Sequence, residues 1–333
     1  MNKNPFSIYD FMGYLFPGMM CYIIIAYCFR MGMDMSEITS MDNLRNLVKG
    51  SQMEFNLEKS VVIIVIAYIL GHIVSHLSSV TIELFAKKVF GYPSEYLLKR
   101  GPGKNWWGLV KAFFASKAHS SNKCWASIKT TLRFVMKLFI VLLLFPITSS
   151  TYTFAYIFDI NGWIVRPLDD YLKNTLKVKE FRLANRLGIS HPDVNQECDY
   201  HRIVMHYVYL NIPNSQRKTD NYVALYGFLR SISFVFCMTF FAFGIHALTT
   251  VDCSASFDTD LLIVLSLFFM LSYICFLGFV KFYRRFTLEN YMAMLTAMPE
   301  DGEKKEELFD DEPKIGSRLM VQSFQELENY RKP

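Results

Sequence analysis

Four polar residues on one apolar stretch are the first to suggest chemistry. The run YILGHIVSHLSSVTIE, residues 68–83, places His72, His76, Ser79 and Glu83 at i, i+4, i+7 and i+11. At 3.6 residues per turn that spacing predicts one helix face, with Ser75 at its border. Ionisable groups inside a membrane segment are costly and face a bundle interior or water. Histidine changes charge near neutral pH, with a reference pKa of about 6.5. The stripe therefore has two readings. One is an ion or proton path, or a gate sensitive to histidine protonation. The other is interhelical hydrogen bonding, which holds bundles together at about 0.6 kcal/mol per bond.

Catalytic and metal chemistry find less support. His72 and His76 share the H-x3-H spacing of a zincin helix, but Ile73 stands where H-E-x-x-H carries its general base. Cys198 and His201 are three apart and share a helix face, whereas His206 points elsewhere. Zinc needs four ligands, or three and a water, so no metal site is expected. Asp169 and Asp170 form a carboxylate pair without the further acids that a metal-bound pyrophosphate would need. The chain contains no G-x-x-x-x-G-K-[ST], G-x-S-x-G or G-x-G-x-x-G. We expect neither enzyme activity nor a cofactor.

The elements that must position the stripe follow from composition. Of 333 residues, 52% are hydrophobic and 16% aromatic, including 30 Phe and 19 Tyr. Soluble chains average about 45–50% apolar with glycine counted. This chain exceeds that range without glycine, and mean hydropathy is +0.20. The seven cysteines show no CxxC spacing and several lie in apolar runs, where Cys acts as a small hydrophobe. A helix crosses the bilayer with about 20 apolar residues. Residues 9–29, 60–80, 229–248 and 261–280 satisfy this. The expected fold is all-α: a polytopic helical membrane protein with a small helical cytoplasmic module.

Lys and Arg set the orientation. Residues 81–133 hold ten basic residues against two acids, Glu83 and Glu95. Residues 31–59 and 250–260 are acidic on balance, and Lys281, Arg284 and Arg285 follow the last span. Both termini are therefore expected in the cytoplasm, in the inner membrane. Parity then requires residues 134–165 to cross an even number of times. Pro146 and the run Thr148-Ser149-Ser150-Thr151 supply the expected bend of a short double crossing or re-entrant hairpin. The expected divisions are 1–80, the first two membrane helices; 81–133, a basic interfacial loop; and 134–165, the short double crossing. Residues 166–228 form the helical module, 229–280 the last two membrane helices, and 281–333 a tail with an acidic run.

Within the basic loop, Trp106, Trp107, Phe113 and Phe114 alternate with Lys104, Lys111 and Lys117. Aromatic rings favour the headgroup zone and lysines meet anionic lipid there. This predicts an interfacial helix on anionic inner-leaflet lipids, with no nucleic-acid partner. The module reads as three helices. Gly188 ends the first, Pro192 opens the second and Ser215 caps a third that continues into the membrane.

The opening "YLFPG" helix and the "YILGHIVSHLSS" helix resemble uncharacterised bacterial multi-pass membrane proteins. Some proteins of that type act as anti-phage defence effectors, and no functional residue transfers with the resemblance. The polar stripe, a candidate re-entrant segment and the missing catalytic motifs lead to one expectation of function. It is a pore-forming or membrane-perturbing homo-oligomer, gated by its cytoplasmic module or a partner. The alternative is a membrane-anchored scaffold that recruits a soluble cytoplasmic protein.

Overall fold

The first helix has to absorb a proline. Pro17 has no N–H, and its ring crowds the carbonyl four residues before it. A computed structural model describes residues 10–30, 57–98, 131–132, 135, 138–158, 165–188, 200–250 and 259–297. In it a π-turn, Phe11–Leu15, directly precedes helix α1, Phe16–Arg30, and loosens the winding where Pro17 intrudes.

Helix α2, Leu57–Ser78, packs on α1 at backbone distance. A Cβ on Gly18 would lie 1.8 Å from the Ala67 carbonyl oxygen, and one on Gly71 would lie 1.9 Å from that of Tyr14. Only glycine admits this approach, which is how helices pack where lipid supplies no hydrophobic drive. A second π-turn, Ser79–Glu83, follows α2 and leads into α3, Leu84–Phe90. Helix α3 stops at Gly91, which takes a left-handed φ of 80°. Tyr92 then opens α4, Pro93–Leu97, with its N–H on Glu95 Oε2 at 3.2 Å.

Helix α5 is Phe145–Phe158. The sequence placed a bend at Pro146 and residues 148–151, making 134–165 a double crossing or hairpin. Among the described residues of this segment, 138–143 and 145–158 are helical with a turn at Leu144 between them, and 133–134, 136–137 and 159–164 lie outside the described residues. Leu144 N–H reaches Ile140 O at 2.9 Å and Thr148 N–H reaches Leu144 O at 2.8 Å, so helical bonding passes Pro146. The hydroxyls of Ser149 and Thr153 bond the carbonyls four residues back, of Phe145 (2.6 Å) and Ser149 (2.9 Å). Bonds within the turn satisfy these side chains without breaking it.

Helices α6, Asp170–Arg186, and α7, Tyr200–Asn211, are amphipathic and bury Leu176, Leu183, Val204 and Val208. Asp169 caps α6 by accepting the Leu172 N–H at 2.8 Å. Asp170 pairs with Lys173 at 2.6 Å, so the carboxylate pair begins a helix. Pro213 starts α8, Pro213–Thr250, which runs unbroken for 38 residues. The last helix, α9, is Thr259–Ala297.

Helices α8 and α9 pack antiparallel. Lys218 pairs with Glu289, Tyr226 meets Tyr283 and Phe240 meets Phe269. Phe145 stacks on Phe240 and Phe154 on Tyr273. Helix α5 therefore advances along α9 in the same sense. Among the described residues, Ser60–Leu97, Ser215–Ile245 and Thr259–Thr296 are long and apolar enough to cross a membrane, and Phe11–Ala26 is a shorter apolar helix. Outward faces carry Val62, Ile69, Ile73, Leu262 and Ile274, each about half exposed or more. The interior buries Ser78, Ser231, Ser233, Thr239 and Ser272 beside Phe276 and Phe279. Ser233 donates to the Ser272 carbonyl at 2.8 Å across α8 and α9. Apolar outside with hydroxyls inside is the arrangement lipid favours. All these contacts lie within the unit Met1–Leu295.

Candidate functional site

The polar centre of the bundle lies where α8 passes the π-turn. Arg230 on α8 projects its guanidinium against α2. Its Nε donates to Ser78 Oγ at 3.2 Å, and its Nη2 lies 3.5 Å from both Ser75 O and Ser75 Oγ. Its Nη1 pairs with Glu83 Oε2. Glu83 also accepts from Ser79 Oγ at 3.1 Å and pairs with Lys87 at 2.6 Å. Ser78 Oγ donates to Ser75 O at 2.9 Å and stands 3.5 Å from Ser231 Oγ. One carboxylate thus bridges two cations, and the side chains of Arg230 and Glu83 keep only 12% and 16% of their exposure.

The π-turn makes this cluster. Eight residues of unbroken α-helix would leave Glu83 roughly 80° from Ser75 around the axis. A π-turn winds less per residue, so Glu83 comes back towards the Ser75–Ser78 side and meets Arg230. The same unwinding divides the predicted stripe. Ser75, Ser79 and Glu83 gather at Arg230, whereas His72 and His76 are exposed. The His72 ring stacks on Tyr14 at 4.0 Å and meets Tyr68 edge-on at 4.6 Å. His76 is on the outward surface of α2, beside Ile73 and Leu77.

A second polar layer joins the module to the long helices. Arg284 donates to the Arg166 carbonyl at 2.8 Å, Leu168 N–H to Leu97 O at 3.0 Å, and Lys179 to the Leu295 carbonyl. His201 meets the Tyr291 ring edge-on at 5.8 Å, and His206 is exposed. Among the described residues no three His, Cys, Asp or Glu side chains are placed to hold a metal. Trp106, Trp107, Lys111, Phe113, Phe114 and Cys198 lie outside the described residues.

Sequence reasoning overlooked Arg230. The signal was available: an arginine at the edge of an apolar run needs a carboxylate, and Glu83 ends the other polar-bearing run. Ser78 was also passed over, because a regular helix puts it beside the stripe rather than at its centre.

Among the described residues the chain is all-helical, with three helices able to span a membrane and an ion-paired centre between two of them. Comparison with protein families, curated proteins and solved structures finds no match.

Proposed function

We propose that this chain is a multi-pass inner-membrane protein that assembles with copies of itself and opens a pore or perturbs the bilayer. Both termini are assigned to the cytoplasm, from the basic stretches at 87–100 and after 280. Anionic inner-leaflet lipid is the natural partner of those stretches. The resemblance to bacterial membrane proteins makes a defence effector the role we assign to such a pore.

The observation that carries this reading is the position of His72 and His76. Both are exposed on α2 among Ile69, Ile73 and Leu77. Ionisable side chains in a span face a bundle interior or water rather than acyl chains. A second copy brought against this face creates a polar seam between subunits, which is where a path forms. The module of α6 and α7 is the control element, because α8 begins at Pro213 directly after α7 and runs into the bundle without a break.

Purified protein in liposomes tests the reading. Ion flux that is lost on replacing His72 and His76 with Leu, at unchanged oligomer size, supports it. Silence under every pH and ligand tried favours a scaffold that recruits a soluble partner. One observation favours that second reading. Tyr171 and Leu210 on α6 and α7 are 80% and 76% exposed, as docking residues are.

A further inference from the structure

We propose that the π-turn Ser79–Glu83 is a register hinge held closed by Arg230. The inference goes beyond the pore reading and does not need it. A π-turn contains one residue more than the α-turn it replaces. Here the surplus separates two stretches packed against different partners. Before it, α2 is pinned to the first helix by the contacts of Gly18 with Ala67 and of Gly71 with Tyr14. After it, α3 and α4 are tied to residues 165–168 through the Leu168–Leu97 hydrogen bond.

Arg230 grips both sides of the turn. It reaches Ser75 and Ser78 on the near side and Glu83 at the far end. Val80, inside the turn, is 50% exposed. Its side chain fills no core position, as suits a surplus residue. Releasing Arg230 lets the turn rewind as α-helix. Everything after it then rotates by about one residue, or 100°. Leu84 and Lys88 now face outward while Phe85 and Ala86 are buried, and rewinding exchanges such positions. The rotation carries α4, and with it the backbone at residues 166–168. Movement of the α7–α8 junction is the natural trigger, because α8 transmits it directly to Arg230.

Accessibility scanning decides the matter. A nitroxide-bearing non-natural amino acid is placed at each of positions 84–89 in the full chain in liposomes. Oxygen accessibility is then read for the native chain, Arg230→Gln, a deletion of Val80, and the two combined. The native chain should peak at Leu84 and Lys88. Arg230→Gln should displace the peaks by one residue. The Val80 deletion removes the surplus, so it should fold and keep the native peaks, alone and with Arg230→Gln. Unmoved peaks in Arg230→Gln would overturn the hinge, as would a deletion of Val80 that fails to fold or peaks that move in the combined variant. If Arg230→Gln itself does not fold, Glu83→Gln releases the same grip, and unmoved peaks there overturn the proposal equally.

Discussion

Arg230 and Glu83 stand 147 residues apart and pair across the contact of α8 with the π-turn that follows α2. The pair lies inside a bundle whose outer faces are apolar, and Ser75, Ser78 and Ser79 complete its hydrogen bonding. Breaking such a pair leaves a charge in a poor environment, which costs more than the pair itself contributes.

The two side chains should therefore be coupled. Glu83→Gln and Arg230→Gln should each lower stability by about 2 kcal/mol, a figure reduced from fully buried pairs because some solvent reaches both groups. The double variant should lose clearly less than the sum, giving a coupling of about 1 kcal/mol or more. Thermal unfolding in detergent measures it. Additive losses would mean that the contact contributes no pairing energy. The exposed Lys218–Glu289 pair is the control: its removal should cost about 0.5 kcal/mol or less.

Gly71→Ala should separate α2 from the π-turn that precedes α1. Its Cβ would meet the Tyr14 carbonyl oxygen at 1.9 Å, and backbone cannot yield as a flexible side chain does. A loss of about 2 kcal/mol or more is expected, within the range of core overpacking. Gly244→Ala has open space and should hold or gain up to about 1 kcal/mol from helix propensity. Equal effects at the two glycines would show that the close approach does not matter.

Residues 138–158 should cross-link as one helix direction. Paired cysteines at Phe145 with Phe240, and at Phe154 with Tyr273, should both join through a short thiol cross-linker, since the ring centroids are 6.4 and 5.3 Å apart. A hairpin at 148–151 would bring Phe154 back to the level of Phe240. The 154–240 pair would then join instead.

Reporter fusions check orientation. Fusions at Asn43 and Ser256 should report from outside the cytoplasm, and one at Pro333 from within it. An outside signal at Pro333 would reverse the assignment.

The long helices were legible because apolar runs and their stops are local signals. Gly188 follows the end of α6, whereas α8 begins at Pro213, two residues before the expected cap Ser215. Pro146 sits in the first turn of α5, where a proline removes one hydrogen bond without ending the helix, and Ser149 covers the Phe145 carbonyl nearby. The stripe divides for a different reason. A 3.6-residue period cannot anticipate a π-turn, whose two sides both meet Arg230, far away in the chain. A π-turn occupies the start of the first helix, which runs on through Phe16–Arg30.

The measurement that bears most directly on the central claim is ion flux across liposomes carrying the purified chain, native against the His72→Leu, His76→Leu double variant. Oligomer size is measured on the same samples. The account predicts flux from the native protein, its loss in the double variant, and an unchanged oligomer. Flux that persists at the native level in a folded double variant, or a native chain that is monomeric and silent, would contradict it.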